Sequence, residues 1–322
     1  MASSTTPTID LEPFLRDGDE DAKKKATEEI RQACSEFGFF QVVNHGVPLD
    51  LMARAIDLSM EFFNNPMEEK KKSLLKPGLS PPPGYVNFQD FSNDGNEHFL
   101  ILSPSSGLNI YPENPPEFGN ALEEIFPNLV ELSWLMERIV SISLGLAPNF
   151  LTEYNNDDRS CDFLKAVHYF PIEKADQING TPAHKDANCL TFIFQNEVGG
   201  LEVLKNEQWI PILPAKGAIV VNIGDVIQVL SNDKFKSASH RVIRQKGKSR
   251  CSIVFFDNLH GDKWIEPLPK FTTEIGESPK YRGFMYKEYL QLRVKNKLDP
   301  PARPEDDINI THYSISTQDQ GN

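Results

Sequence analysis

Between Thr181 and Ser252 the chain carries two histidines and one carboxylate that suit a single metal ion, a demand that forces distant β-type segments to lie side by side. His184 and Asp186 stand two residues apart in the run from Thr181 to Phe194, where strand alternation sends both side chains to one face. His240 lies far downstream, in a second β-type run from Ser237 to Ile243, and Arg250-Cys251-Ser252 follows it. Two imidazoles and one carboxylate on one face of an octahedral ion leave positions open, as non-haem Fe(II) needs to activate oxygen. Zinc accepts similar ligands. The Arg-x-Ser element separates the two, because a guanidinium fork with a hydroxyl two residues away matches the far carboxylate of a dicarboxylate held near the metal.

At these residues the chain resembles the plant branch of the Fe(II)/2-oxoglutarate-dependent dioxygenases, an isopenicillin N synthase-like family whose pattern is H-x-D, a distant H, then R-x-S. The resemblance extends to Asn222-Ile-Gly-Asp225, to Leu230-Ser-Asn232, and to Glu36 through Pro48, so it covers most of the chain. It implies a mainly β fold, a double-stranded β-helix (jelly-roll) core packed against N-terminal and central α-helices. It further implies Fe(II) on His184, Asp186 and His240, 2-oxoglutarate gripped by Arg250 and Ser252, oxygen as co-reactant and ascorbate in support. Such enzymes release succinate and carbon dioxide while they hydroxylate a small molecule, or demethylate, desaturate or cyclise it, the substrate's pose deciding which.

Two positions depart from the family pattern. Lys185 stands between the two ligands where many plant members have threonine; turned into the mouth, it would attract an acidic substrate. In Ala166-Val-His168-Tyr169-Phe170-Pro171, relatives read R-x-N-Y-Y-P, so Phe170 falls where their tyrosine bonds the 2-oxoglutarate tail and His168 where they have asparagine. Phe256 matches a position at which flavonoid-oxidising relatives set an aromatic ring against a planar substrate. Tyr85 and Phe88, with Phe91 and Phe99, offer further aromatic surface, against the plainer reading that they pack a loop onto the core. His45, in a turn, reads as structural, and His98 as a surface or packing residue.

Along the 322 residues, helical spacing marks 21–37, ended by Gly38, and a second helix from Pro48 with Leu51, Ala55, Leu58 and Phe62 on one stripe. A buried strand, 39–43, separates them. Residues 76–116 lose periodicity, and a long helix from about 118 to 146 follows, with Pro127 inside and Leu132, Leu135, Ile139, Ile142 and Leu146 on its buried face. Evenly spaced short β runs at 163–170, 190–194, 201–204, 209–212, 219–223 and 252–256 mean a sandwich or barrel. A helix with a basic end spans 281–297. The expected organisation is an N-terminal helical and mixed region, 1–157, packing on a jelly-roll oxygenase domain, 158–298, with a polar tail, 299–322.

The 39% hydrophobic and 10% aromatic content supports a large core, while a formal charge of −13 argues against nucleic acid and anionic membranes as partners. Cys34, Cys161, Cys189 and Cys251 are scattered and read as reduced thiols. No leader or long apolar run is evident, so a cytoplasmic protein acting as a monomer on a small molecule is expected. Two rival functions remain: an ascorbate-using oxidase that keeps Arg-x-Ser without consuming 2-oxoglutarate, as 1-aminocyclopropane-1-carboxylate oxidase does, and a non-catalytic binder on the same fold.

Overall fold

The computed structural model describes residues 6–16, 19–74, 81–87, 95–156, 159, 161–173, 179–298, 301, 303 and 306–315. Its largest sheet has eight strands in the spatial order β1 (Thr8–Asp10), β2 (Phe39–Val43), β10 (Ile219–Ile223), β7 (Leu190–Gln195), β12 (Arg250–Asp257), β5 (Phe163–Tyr169), β4 (Asn96–Leu102) and β3 (Gly84–Asn87). A four-stranded sheet, β6 (Asn179–His184), β11 (His240–Ile243), β8 (Leu201–Lys205) and β9 (Gln208–Pro211), faces it, and β13 (Trp264–Ile265) pairs with β14 (Phe284–Met285). This is the expected jelly-roll. Each β run read from the sequence falls within or beside one of these strands. The first 157 residues also supply β1 to β4, half of the large sheet's strands, so they share that sheet with β5, β7, β10 and β12.

Both faces of the large sheet are covered. One face, carrying Phe40, Phe99, Leu164, Phe192, Ile253 and Phe255, packs in a single core with the helices. Those helices are α1 (Glu12–Leu15), α2 (Glu20–Glu36), α3 (Leu49–Phe63), α4 (Met67–Lys70), α5 (Phe118–Ser143), α6 (Phe150–Tyr154), α7 (Asp225–Leu230) and α8 (Tyr286–Leu298). The other face turns Phe39, Val167, Tyr169, Ile193 and Val220 toward Leu201, Val203 and Val242 of the small sheet. Alternation along each strand therefore decides which residues reach the space between the sheets.

The helix ends follow local chemistry. The Asp19 side chain accepts from Ala22 N at 2.9 Å to cap α2, with Glu20 and Asp21 in the favourable first turn. Gly38 closes the helix, donating its N–H to Ala33 O at 2.8 Å with φ at +70°. The burial of α5 differs from the expected stripe: Leu132 and Ile139 are buried, but Leu135 is half-buried and Ile142 exposed, while Leu122, Ile125, Leu129, Met136 and Val140 complete the buried face. Two apolar stripes with the same three-and-four spacing run along this helix, and packing against α2, α3 and the sheet selects between them. Pro127 lies inside the helix without ending it.

A Cβ at Gly38 would stand 2.2 Å from Lys236 O, in a backbone conformation that L side chains disfavour. Gly38→Ala is therefore expected to cost about 2 kcal/mol or more, read as a lower urea or thermal unfolding midpoint; an unchanged midpoint contradicts this placement.

Candidate metal and dicarboxylate site

Strand β6 ends where β11 begins, and their antiparallel register sets His184 directly opposite His240, with ring centroids 4.2 Å apart. Asp186, just past β6, brings Oδ1 to 3.5 Å from His184 Nε2 and 3.7 Å from His240 Nε2. The tautomers follow from the partners. His184 Nδ1 lies 2.9 Å from Pro182 O and His240 Nδ1 3.2 Å from Ala238 O; a carbonyl only accepts, so each Nδ1 carries the proton and each Nε2 presents a lone pair. Two ligands about 2.1 Å from one ion stand roughly 3.0 to 3.5 Å apart, so each imidazole's distance from Asp186 Oδ1 suits a shared divalent cation to within a few tenths of an ångström, and all three donor atoms lie within 4.8 Å of one another. His184 is about a third exposed while Asp186 and His240 are buried, which leaves the mouth side open.

Asp186 owes its position to the Asn222-Ile-Gly-Asp225 stretch. Asn222 Nδ2 and Thr191 Oγ1 donate to Asp186 Oδ2 at 2.9 and 2.7 Å, and Asp225 N donates to Asp186 O at 2.8 Å, so Oδ1 alone is left for a cation. Gly224 is required by close approach, because a Cβ there would meet Asn188 O at 2.0 Å. Burial acts to raise the Asp186 carboxyl, but the imidazoles of His240 and His184 and the Asn222 amide outweigh it and hold the group well below the usual carboxylate range. Burial, with His184 beside it, pushes His240 down to about 4, so its imidazole is neutral and ready to bind metal at physiological pH.

A cavity between the two sheets connects this cluster to Arg250 and Ser252. Arg250 is 2% exposed; its Nε donates to Gln195 Oε1 at 2.9 Å and its Nη1 to Ser252 Oγ at 3.1 Å. Burial lowers its pKa, and no carboxylate among the described residues pairs with it. A buried guanidinium without a counter-charge costs several kcal/mol, a cost that an anion in the cavity would offset. The guanidinium carbon lies 4.7 Å from the centre of the Tyr169 ring, whose hydroxyl accepts a hydrogen bond from Thr181 Oγ1 at 3.3 Å.

The register of β5 decides which of its residues reach the cavity. Arg250 pairs with Tyr169, Ser252 with Val167 and Val254 with Lys165, so Lys165, Val167 and Tyr169 face the cavity. His168 faces the opposite way, stacked on Phe63 with its Nδ1 2.9 Å from Glu97 Oε1, and does not line the cavity. The phenol beside the arginine is Tyr169 rather than anything at Phe170, because alternation along the strand overrides counting back from the proline. Tyr85 is 1% exposed and donates its hydroxyl to Glu97 behind the sheet, away from the cavity. Phe99 likewise packs in the core, while Phe88 and Phe91 lie outside the described residues. Lys185 does not line the cavity either. His45 has its Nε2 3.1 Å from Gly217 O, remote from the cluster.

Phe256 does line the cavity, stacked on Phe163 at 4.6 Å, with the Lys165 ammonium 5.2 Å from its ring. His98 and Asn96 line it from β4, a role the sequence alone did not assign to His98. The available signal was that both stand on one face of a strand.

Comparison with known proteins gives a consistent result. The profile described as the 2OG-Fe(II) oxygenase superfamily matches residues 161–258, and one described as the N-terminal part of a non-haem dioxygenase in morphine synthesis matches 6–129. The chain is 33% identical over 317 residues to 1-aminocyclopropane-1-carboxylate oxidase 4 of Solanum lycopersicum, covering 98% of each. It is 34% identical over 300 residues to flavonol synthase/flavanone 3-hydroxylase of Arabidopsis thaliana, covering 91% of this chain and 86% of that one. Among solved structures, that of JOX2 in complex with 2OG, Fe and JA superposes with a TM-score of 0.83 at 29% identity, covering 97% of this chain and 90% of that one.

Removing any one donor leaves too few bonds, so His184→Ala, Asp186→Ala and His240→Ala should each abolish tight binding of one Fe(II) per chain. The metal-free unfolding midpoint should stay near wild type for His184→Ala, whose side chain is at the mouth. Calorimetric titration under nitrogen checks this; wild-type affinity in Asp186→Ala contradicts it.

Proposed function

This chain belongs to the 2OG-Fe(II) oxygenase superfamily, and from that premise we propose that it oxidises a small, largely apolar plant metabolite bearing a flat ring, of the flavonoid or phenolic, alkaloid or hormone kind. It is a dioxygenase whose cofactors are Fe(II), 2-oxoglutarate and oxygen. In this reading His184, Asp186 and His240 hold the iron through the two Nε2 atoms and Oδ1. Arg250 and Ser252, with Tyr169, hold the far carboxylate of 2-oxoglutarate. The observation that carries the reading is the buried Arg250, without a carboxylate partner among the described residues, in the same cavity as three converging metal donors.

Fe(II), when bound, supplies the centre at which oxygen is activated and 2-oxoglutarate is consumed to succinate and carbon dioxide. The chain's own contribution is placement. Thr191 and Asn222 fix the carboxylate plane of Asp186, and the two carbonyl-bound Nδ1 atoms fix the imidazole planes. Gln195 occupies Arg250 Nε, which aims the outer edge of the fork into the cavity. The walls beside it, Val167, Ile193, Leu201 and Val242, keep that end of the cavity apolar and exclude water from the charged pair.

The substrate, in this proposal, lies against Phe256, where the stacked Phe163 ring and the Lys165 ammonium offer a flat surface with one cationic edge. Hydroxylation is the default outcome; demethylation, desaturation or ring closure follows if the pose presents another C–H bond. No helix of the described residues is long and apolar enough to cross a membrane, and a single chain acting in the cytoplasm completes the proposal. A panel of such metabolites, assayed for succinate release with Fe(II), 2-oxoglutarate and ascorbate, tests it. One compound should raise succinate in equimolar amount with its own oxidation. Oxidation of a substrate without loss of 2-oxoglutarate would favour instead the ascorbate-using oxidase reading, which the likeness to 1-aminocyclopropane-1-carboxylate oxidases supports.

Lysine at position 250 keeps the charge but loses the fork. A hydrogen bond to a charged group contributes about 1.5 to 3 kcal/mol, so Arg250→Lys should weaken 2-oxoglutarate about tenfold or more, and Tyr169→Phe by less. Calorimetry on the Fe(II)-loaded protein under nitrogen measures both; unchanged affinity in Arg250→Lys removes the assignment. Phe256→Ala should raise substrate KM while leaving substrate-free 2-oxoglutarate consumption intact, and an equal loss in both would assign the ring to the core.

A further inference from the structure

The two carbonyls of the ligand turn are held from outside the jelly-roll strands. Arg293, on α8, donates through Nη2 to Lys185 O at 2.7 Å, the carbonyl between His184 and Asp186. Its Nη1 lies 3.6 Å from Asp225 Oδ2 and donates to Tyr289 Oη at 3.1 Å, while the Tyr289 hydroxyl donates to the same Asp225 oxygen at 2.7 Å. Asp225 in turn gives its backbone N–H to Asp186 O. Asp225 and Tyr289 are fully buried, and the Arg293 side chain is 18% exposed. One ion-paired unit thus grips consecutive peptide carbonyls of the His184-Lys185-Asp186 turn.

The helix that carries Tyr289 and Arg293 is itself fastened to the C-terminal stretch. Tyr313 packs against Phe284 and Tyr289, with ring centroids 4.3 and 5.6 Å apart. Arg282 donates its N–H to Tyr313 O and its Nη2 to His312 O, each at 2.8 Å, and Ile310 is buried. A continuous set of contacts therefore runs from residues 310–313 through α8 to the ligand turn.

We infer that Arg293 is a positioning residue for the metal centre, bridging α8 to the peptide between two ligands so that docking of this helix and metal affinity are linked. The inference rests on the assignment of His184, Asp186 and His240 as metal ligands. Because linkage is reciprocal, whatever loosens α8 weakens metal binding, and bound metal tightens α8. Changes to residues that orient metal ligands weaken metal binding by about 10- to 100-fold.

The test is anaerobic titration of the full chain with Fe(II) alone, beside the unfolding midpoint of the metal-free protein and amide exchange of α8. Arg293→Met should raise the Fe(II) Kd about tenfold or more, and the protection that Fe(II) gives α8 amides in the wild type should disappear. Arg293→Lys retains a charge for Asp225 but no fork that also spans to Lys185 O, so it should fall between the two. A Kd within about twofold of wild type in a folded Arg293→Met protein overturns the inference. If Arg293→Met does not fold, Arg293→Lys decides by the same criterion. Failure of the metal reading looks different: wild type would then bind no Fe(II) that Asp186→Ala loses, whereas failure of this inference alone leaves wild-type binding intact and the Arg293 variants equal to it.

Discussion

The antiparallel pairing of β6 with β11 is the constraint on which the rest depends, because its register alone sets His184 opposite His240. A shift of one residue would turn one imidazole out of the cavity. Everything nearby defends that register. The small sheet packs Leu201, Val203 and Val242 against the inner face of the large one, and the Asn222-to-Asp225 stretch clasps Asp186 by side chain and backbone together. The two imidazoles are fixed by carbonyls of their own chain segments, so the donor set is organised before any ion arrives.

The large sheet divides the labour between its faces. Leu164, Phe192, Ile253 and Phe255 enter the helical core, while their strand neighbours Lys165, Ile193, Val254 and Phe256 face the cavity. Stability and chemistry are thus carried on the same strands, at alternate positions. The buried Glu97, which accepts from Lys70, Tyr85 and His168, belongs to the helix side, so its polar network supports the sheet rather than the cavity.

Much of this was legible in the sequence because it is local. The short β runs, the helix ended by Gly38, and the ligand pair His184 and Asp186 each follow from alternation, capping or spacing within a few residues. The features that sequence did not reveal depend on which face a strand presents. His98 and His168 sit on adjacent strands with opposite orientations, and only the pairing of β4 with β5 tells them apart. That Tyr169 supplies the phenol which Phe170 lacks follows likewise from pairing, that of β5 with β12. The buried face of α5 could not be read from spacing, since two equally periodic stripes compete and tertiary packing chooses. Arg293 carries no local signal at all, because its partners Lys185 and Asp225 are remote in sequence.

The central claim is that one cavity holds iron on His184, Asp186 and His240 and 2-oxoglutarate against Arg250. A keto acid chelating Fe(II) absorbs visible light by charge transfer, so the most direct measurement is the spectrum of the protein under nitrogen as 2-oxoglutarate is added to the Fe(II)-loaded chain. The account predicts a saturable visible band in the wild type that is absent in Asp186→Ala and needs a higher 2-oxoglutarate concentration in Arg250→Lys. A wild type without that band, or Asp186→Ala with it at full strength, would contradict the account.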